Sequence, residues 1–114
     1  MSQNELEPKL AQIMSDIAEV EGICAFDAAG ALISGQTIEE KDVKTISKNA
    51  FNLIDKLNAL GKAIGKGNAT EITIGLEQGY AVVEIGDRFS IVAFVDADSK
   101  SQLALLSRTL KNLM

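Results

Sequence analysis

The 114-residue chain is 46% hydrophobic and 24% charged, the composition of one folded soluble domain with a modest core. It contains no histidine and a single cysteine, Cys24, which excludes histidine-based triads, imidazole proton shuttles, intrachain disulfides and thiolate zinc clusters. A net charge of −5 and a pI near 4.6 argue against a nucleic-acid groove or an anionic membrane surface as the partner.

Leu6, Leu10, Ile13, Met14, Ile17 and Val20 recur at steps of three and four, predicting an amphipathic helix over about residues 5–20, with Pro8 in its first turn and Gly22 as its stop. Residues 22–27 read as a strand and 31–35 as its hairpin partner. Between them, Asp27-Ala28-Ala29-Gly30 suits a type I turn closed by a glycine bulge. A long helix follows over 42–64. Val43, Ile46, Ala50, Leu53, Ile54, Leu57, Leu60 and Ile64 fall on its buried side, with Lys44, Lys48, Asn52, Asp55, Lys56 and Lys62 opposite. Phe51 is the misfit, an aromatic toward the lysine side.

Glycines 61, 65 and 67 then end the helix. Three strands come next, over 71–77, 80–85 and 89–95. In the first, Ile72, Ile74 and Leu76 share one face. The last is apolar on both faces and belongs at the centre of the sheet, covered on both sides. Asp98 or Ser99 caps a final helix, with Gln102 three residues after Ser99 in the spacing of a capping box. Leu103, Leu106, Leu110, Leu113 and Met114 are its buried stripe. The expected fold is α+β, in the order α-β-β-α-β-β-β-α, with a five-stranded antiparallel sheet, helices on both faces and a single domain over 1–114.

The polar, acidic start is unlike a signal peptide, and the longest uncharged apolar run, residues 89–95, is far short of the roughly twenty residues a membrane span needs. A cytoplasmic protein without membrane insertion is the expectation. The glycine-lysine stretch over 61–67 has the wrong spacing and context for a phosphate loop and reads as a helix stop. Asp96-Ala97-Asp98 lacks the downstream ligands of aspartyl-phosphate chemistry and reads as a strand-to-helix cap. Cys24 reads as a core thiol, and Glu39, Glu40 and Asp42 as carboxylates at a helix start. No catalytic residue, metal ligand or cofactor site is expected.

Two features point to association. Ile72-Ile74-Leu76 forms a clean strand after a long loop, suited to an open sheet edge, and such an edge usually finds a partner. The long helix has a broader apolar stripe than one sheet face covers, plus Phe51. A symmetric dimer answers both. The plainer alternative at Phe51 is a solvated lysine face with one exposed aromatic.

The hairpin of residues 22–33, with its apolar strand, Asp-x-x-Gly turn and second apolar strand, together with the long middle helix, the 72–95 meander and the C-terminal helix, resembles the Roadblock/LC7 family of dimeric Ras-like GTPase regulators. The resemblance implies dimerisation, with itself or a paralogous Roadblock chain, through Ile72, Thr73, Ile74 and Leu76 of the third strand and Ile46, Leu53 and Leu57 of the long helix. It further implies a docking platform for a small GTPase on the paired helices, with Lys44, Lys48, Phe51, Asp55 and Lys56 as its contacts. The only arginines, Arg88 and Arg108, lie off that platform, which argues against donation of an arginine finger. The expected function is a non-enzymatic regulator or scaffold that modulates a GTPase's nucleotide cycle or location. The alternative is a small-molecule-sensing domain of longin or profilin-like architecture.

Overall fold

The computed structural model describes residues 2–114. Along the chain run α1 (Gln3–Asp16), β1 (Val20–Asp27), β2 (Leu32–Thr37), α2 (Val43–Ala63), β3 (Glu71–Leu76), β4 (Gly79–Ile85), β5 (Phe89–Asp96), a 3-10 turn (Ala97–Gln102) and α3 (Leu103–Leu113). The strands form one antiparallel sheet in the order β2-β1-β5-β4-β3. β5 is central and buried along most of its length, as its two-sided apolar sequence requires. β2 and β3 are the edges.

The two faces carry separate cores. Leu6, Leu10 and Ile13 of α1 and Leu106 and Leu110 of α3 close over Val20, Ile23, Ala25, Val82, Ile91 and Ala93. On the other face, Ala50 and Ile54 of α2 close over Cys24, Phe26, Val83 and Val92. No helix among the described residues is long and apolar enough to cross a membrane.

The first helix is shorter than its periodicity suggests. It ends at Asp16, and Ile17 and Val20 are buried from the connecting turn and from β1 itself. Apolar residues at helical spacing continue past the helix end because the chain keeps feeding the same core after its backbone has changed. Pro8 sits in the second turn, on the exposed side, where its missing N–H leaves a water-facing carbonyl. Gly22 lies inside β1 beneath the Phe94 ring, which would overlap any side chain there. It marks a close approach and not a stop.

The hairpin turn forms as its residues dictate. Asp27 Oδ1 accepts from the Ala29 and Ala31 amides, both at 2.9 Å, and Gly30 takes φ +86°, a conformation glycine adopts without strain. The end of α2 is a Schellman motif: the Lys66 amide donates to the Gly61 carbonyl at 2.8 Å, the Gly65 amide to Lys62 at 3.1 Å, and Gly65 has φ +73°.

The start of the C-terminal helical segment departs from expectation. Asp96 is the cap, accepting from the Asp98 amide at 3.0 Å and the Ser99 hydroxyl at 2.7 Å. A 3-10 turn fills the space where Ser99 and Gln102 suggested a capping box, because the Ser99 hydroxyl is already committed to Asp96. Met114 is 41% exposed and outside the buried stripe.

Gly61 stands in a helix interior, where alanine ordinarily adds about 1 kcal/mol. Here a Cβ would overlap the Gly67 carbonyl oxygen of the Schellman turn. Gly61→Ala therefore lowers unfolding free energy by about 1–2 kcal/mol in urea titration, and a stabilised variant would contradict the assignment of this turn.

Candidate functional site

α2 begins at Asp42, whose carboxylate accepts from the Thr45 amide at 3.2 Å and its hydroxyl at 2.8 Å. These bonds hold the Asp42 carboxyl below its ordinary range. From this anchored start the helix lies over β1 and β2. The sheet face beyond, formed by β5, β4 and β3, is left partly uncovered. The result is an apolar groove of about 310 Å³ between α2 and β3, lined by Thr45, Ile46, Asn49, Ala50 and Leu53 from the helix and by Ile74, Val83 and Val92 from the sheet.

Three of the residues expected at a dimer contact meet here: Ile46, Leu53 and Ile74. Ile72 is half-buried against the Phe26 and Val83 core. Leu57 is half-buried one turn beyond Leu53, and Leu76 is 60% exposed at the far end of β3. Thr73 differs from its neighbours, because strand alternation turns its side chain to the opposite face with Glu71 and Gly75. Leu60 and Ile64, read from sequence as buried, are 55% and 62% exposed. They extend the line of Ile46, Leu53 and Leu57 along the helix, left uncovered by the described residues.

β3 also has an unpaired hydrogen-bonding edge. The Ile85 amide donates to Thr70 at 3.0 Å, and this fixes the pattern of the ladder. Ile72, Ile74 and Leu76 bond inward to Val83, Ala81 and Gly79, so the amides of Glu71, Thr73 and Gly75 point outward. The floor residues Ala50, Val83 and Val92 could not be singled out from sequence, since core and groove floor carry the same apolar pattern until the position of α2 across the sheet is known.

The opposite face of β3 is tied to α3. Lys111 Nζ lies 2.6 Å from Glu71 Oε2. Directly across from Glu71 on β4, Glu84 is 2% exposed and accepts from the Ser107 hydroxyl. Burial pushes the Glu84 carboxyl above its ordinary 4.5, opposed by the Ser107 hydrogen bond and the Lys111 charge. The hydrogen bond and charge of Lys111 hold Glu71 below its ordinary range, and Glu71 in turn raises Lys111.

On the outer surface of α2, Lys44, Lys48, Asp55 and Lys56 are exposed as expected. Phe51 is not an exposed member of that face. It is half-buried and packed on the second core, with its ring over the β1–β2 turn. The absent side chain of Gly30 makes room for it, since a Cβ there would lie 2.7 Å from the ring. Arg88 and Arg108 are exposed in the β4–β5 turn and on α3, neither of them on α2.

Cys24 is fully buried, and burial pushes its thiol up to about 11. The Ser47 hydroxyl lies close enough to oppose that rise but finds no hydrogen-bond partner of normal geometry. A thiol so placed stays protonated and unreactive. No group of three or more acidic or cysteine side chains among the described residues could hold a metal ion.

Glu84 supplies a sign test. Its raised folded-state pKa means that its contribution to stability is full below the ordinary 4.5 and is lost as pH rises through the raised value. Glu84→Gln therefore gains stability relative to the parent between pH 4 and pH 7, measured by urea unfolding at each pH. A difference that does not change with pH would contradict a buried ionising carboxylate.

The profile of the Roadblock/LC7 domain family matches residues 9–95. Among solved structures, MglB of Myxococcus xanthus superposes with a TM-score of 0.76 at 19% identity, covering 89% of this chain and 81% of that one. A Roadblock/LC7 domain from Streptomyces avermitilis gives 0.80 at 12% identity, with 92% and 88% covered. The gliding protein MglB of Thermus thermophilus gives 0.74 at 14%, with 92% and 90% covered. At these identities the structural likeness is one of fold. No curated protein sequence matches the chain.

Proposed function

The chain belongs to the Roadblock/LC7 domain family, and from that premise we propose that it is a non-enzymatic, homodimeric regulator or scaffold that binds a small Ras-like GTPase and modulates its nucleotide cycle or location. The observation that carries this reading is the coincidence of an open strand edge with an uncovered apolar groove. β3 offers outward amides at Glu71, Thr73 and Gly75 beside a groove formed by Ile46, Leu53 and Ile74. A second copy related by a two-fold axis answers both at once. Its β3 completes the ladder, and its α2 fills the groove and covers Leu57, Leu60 and Ile64.

With the apolar side of α2 used in this way, its polar side faces outward from the pair. α2 carries four lysines, Lys44, Lys48, Lys56 and Lys62, against one acidic residue, Asp55. In a chain of net charge −5 this is a local basic surface, suited to an acidic patch on a partner. Lys44, Lys48, Asp55 and Lys56 form the platform, with Phe51 at its border. Both arginines lie off α2, so any stimulation of GTP hydrolysis acts by ordering the GTPase's own switch loops and not by donating an arginine.

Sedimentation equilibrium at micromolar concentration gives twice 12.1 kDa for the parent and the single-chain mass for Leu53→Asp, whose carboxylate would be desolvated in the pair. A parent that stays monomeric would contradict the reading.

The platform is tested separately, by capture from the cell's own lysate loaded with GDP or a GTP analogue. The immobilised parent enriches a small GTPase. The triple variant Lys44→Glu, Lys48→Glu, Lys56→Glu keeps the dimer mass and binds that GTPase at least about tenfold more weakly. Equal binding would remove these lysines from the interface.

A further inference from the structure

A second cleft opens on the other side of α2, away from β3, where the β1–β2 turn, the later half of the helix and the β4–β5 turn converge. It holds about 300 Å³, the lower end of the range for small-molecule sites. Its apolar wall includes Phe51, half-buried, with Phe26 buried behind it at 1% exposure. Asp27 and Asp55 also line it.

Neither carboxylate takes part in the ion pairs of Glu39 with Lys41 and Glu71 with Lys111. Lys48 and Lys62, on the same side of α2 as Asp55, stand seven positions away in either direction, about 10 Å along the axis. Asp27 uses one oxygen, Oδ1, to hold the turn amides, and its other oxygen remains free to accept.

Ser90 adds an independent observation. It is 6% exposed and lines the cleft, yet its side chain makes no hydrogen bond to any described residue. Ser47 Oγ is the one fully enclosed hydroxyl without a partner among the described residues, so the Ser90 hydroxyl keeps access from the cleft it lines and is free to bond a ligand there.

The half-buried Phe51 ring, two carboxylates and the Ser90 hydroxyl are complementary to a positively charged nitrogen carried on an apolar body. We propose that this cleft is a binding site for an organic cation, an ammonium or guanidinium group, which enters beside the Phe51 ring and is held by Asp27, Asp55 and the Ser90 hydroxyl. Such a cation can come from a free small amine or from a basic side chain of a bound protein. The site requires neither a second copy of the chain nor a GTPase, although it shares Asp55 and the bordering Phe51 with the proposed platform.

The test is a 1H–15N titration of the full chain with three probes: benzylammonium, Nα-acetyl-arginine amide and the neutral benzyl alcohol. The expected result is saturable shifts at the Ala28 and Gly86 amides with millimolar affinity for a cationic probe, and binding of benzyl alcohol at least about fivefold weaker. Asp55→Asn, an exposed change, weakens the cation about fivefold, and Ser90→Ala weakens it as well, both with otherwise unchanged spectra. Tighter binding of benzylammonium assigns the site to free amines, and tighter binding of the blocked arginine assigns it to a partner's side chain. Equal binding of benzyl alcohol and benzylammonium, an Asp55→Asn variant that binds as the parent does, or no shifts with any probe would each overturn the proposal.

Discussion

The structure turns on the exposed edge of β3. A strand satisfies its backbone only when both rows of hydrogen-bonding groups find partners, and β3 has a neighbour on one side alone. Its ladder with β4 consumes the amides of Ile72, Ile74 and Leu76 and leaves those of Glu71, Thr73 and Gly75 facing outward. The apolar side chains of the same strand turn toward α2, which stands over β1 and β2 and leaves a groove open beside them. Strand edge and groove lie together, so one partner can satisfy both. On the other face, Lys111 pairs with Glu71 of β3, and buried Glu84 of the neighbouring β4 accepts from Ser107, both from α3.

The position of α2 divides the molecule's chemistry. Toward β3 it presents Ile46, Leu53 and Leu57, and outward it presents lysines. Toward the hairpin turn it presents Phe51, beside the cleft that Asp55 also lines. The sides of one helix thus differ in character: an apolar one toward β3, a lysine-rich one outward that includes Asp55, and an aromatic one toward the hairpin turn. The face across the sheet, under α1 and α3, is closed by the larger of the two cores.

Much of this was legible in the residues alone. The element order, the central position of β5, the edge position of β3, the Asp27 to Gly30 turn and both ends of α2 follow from alternation, periodicity and turn chemistry, which act over a few residues. What could not be read depends on where elements come to rest against one another. Ile17 and Val20 keep helical spacing after the helix has ended, because burial rewards the position of a side chain whatever backbone carries it. Phe51 looks misplaced on a helical wheel until Gly30, 21 positions earlier in the chain, is seen to make room for its ring. Ala50, Val83 and Val92 are core residues by burial, and that they also floor the groove follows only from where α2 crosses the sheet. Ser90, Asp27 and Asp55 come from three separate elements, and no spacing along the chain announces their meeting.

The most direct measurement of the central claim is residue-resolved amide hydrogen exchange across β3 at micromolar to millimolar protein concentration. Pairing of β3 with its copy predicts that the outward amides of Thr73 and Gly75 exchange about as slowly as the inward amides of Ile72 and Ile74, with protection that falls as the protein is diluted. Fast exchange at Thr73 and Gly75 at every concentration, beside protected Ile72 and Ile74, would show a free edge and contradict the account.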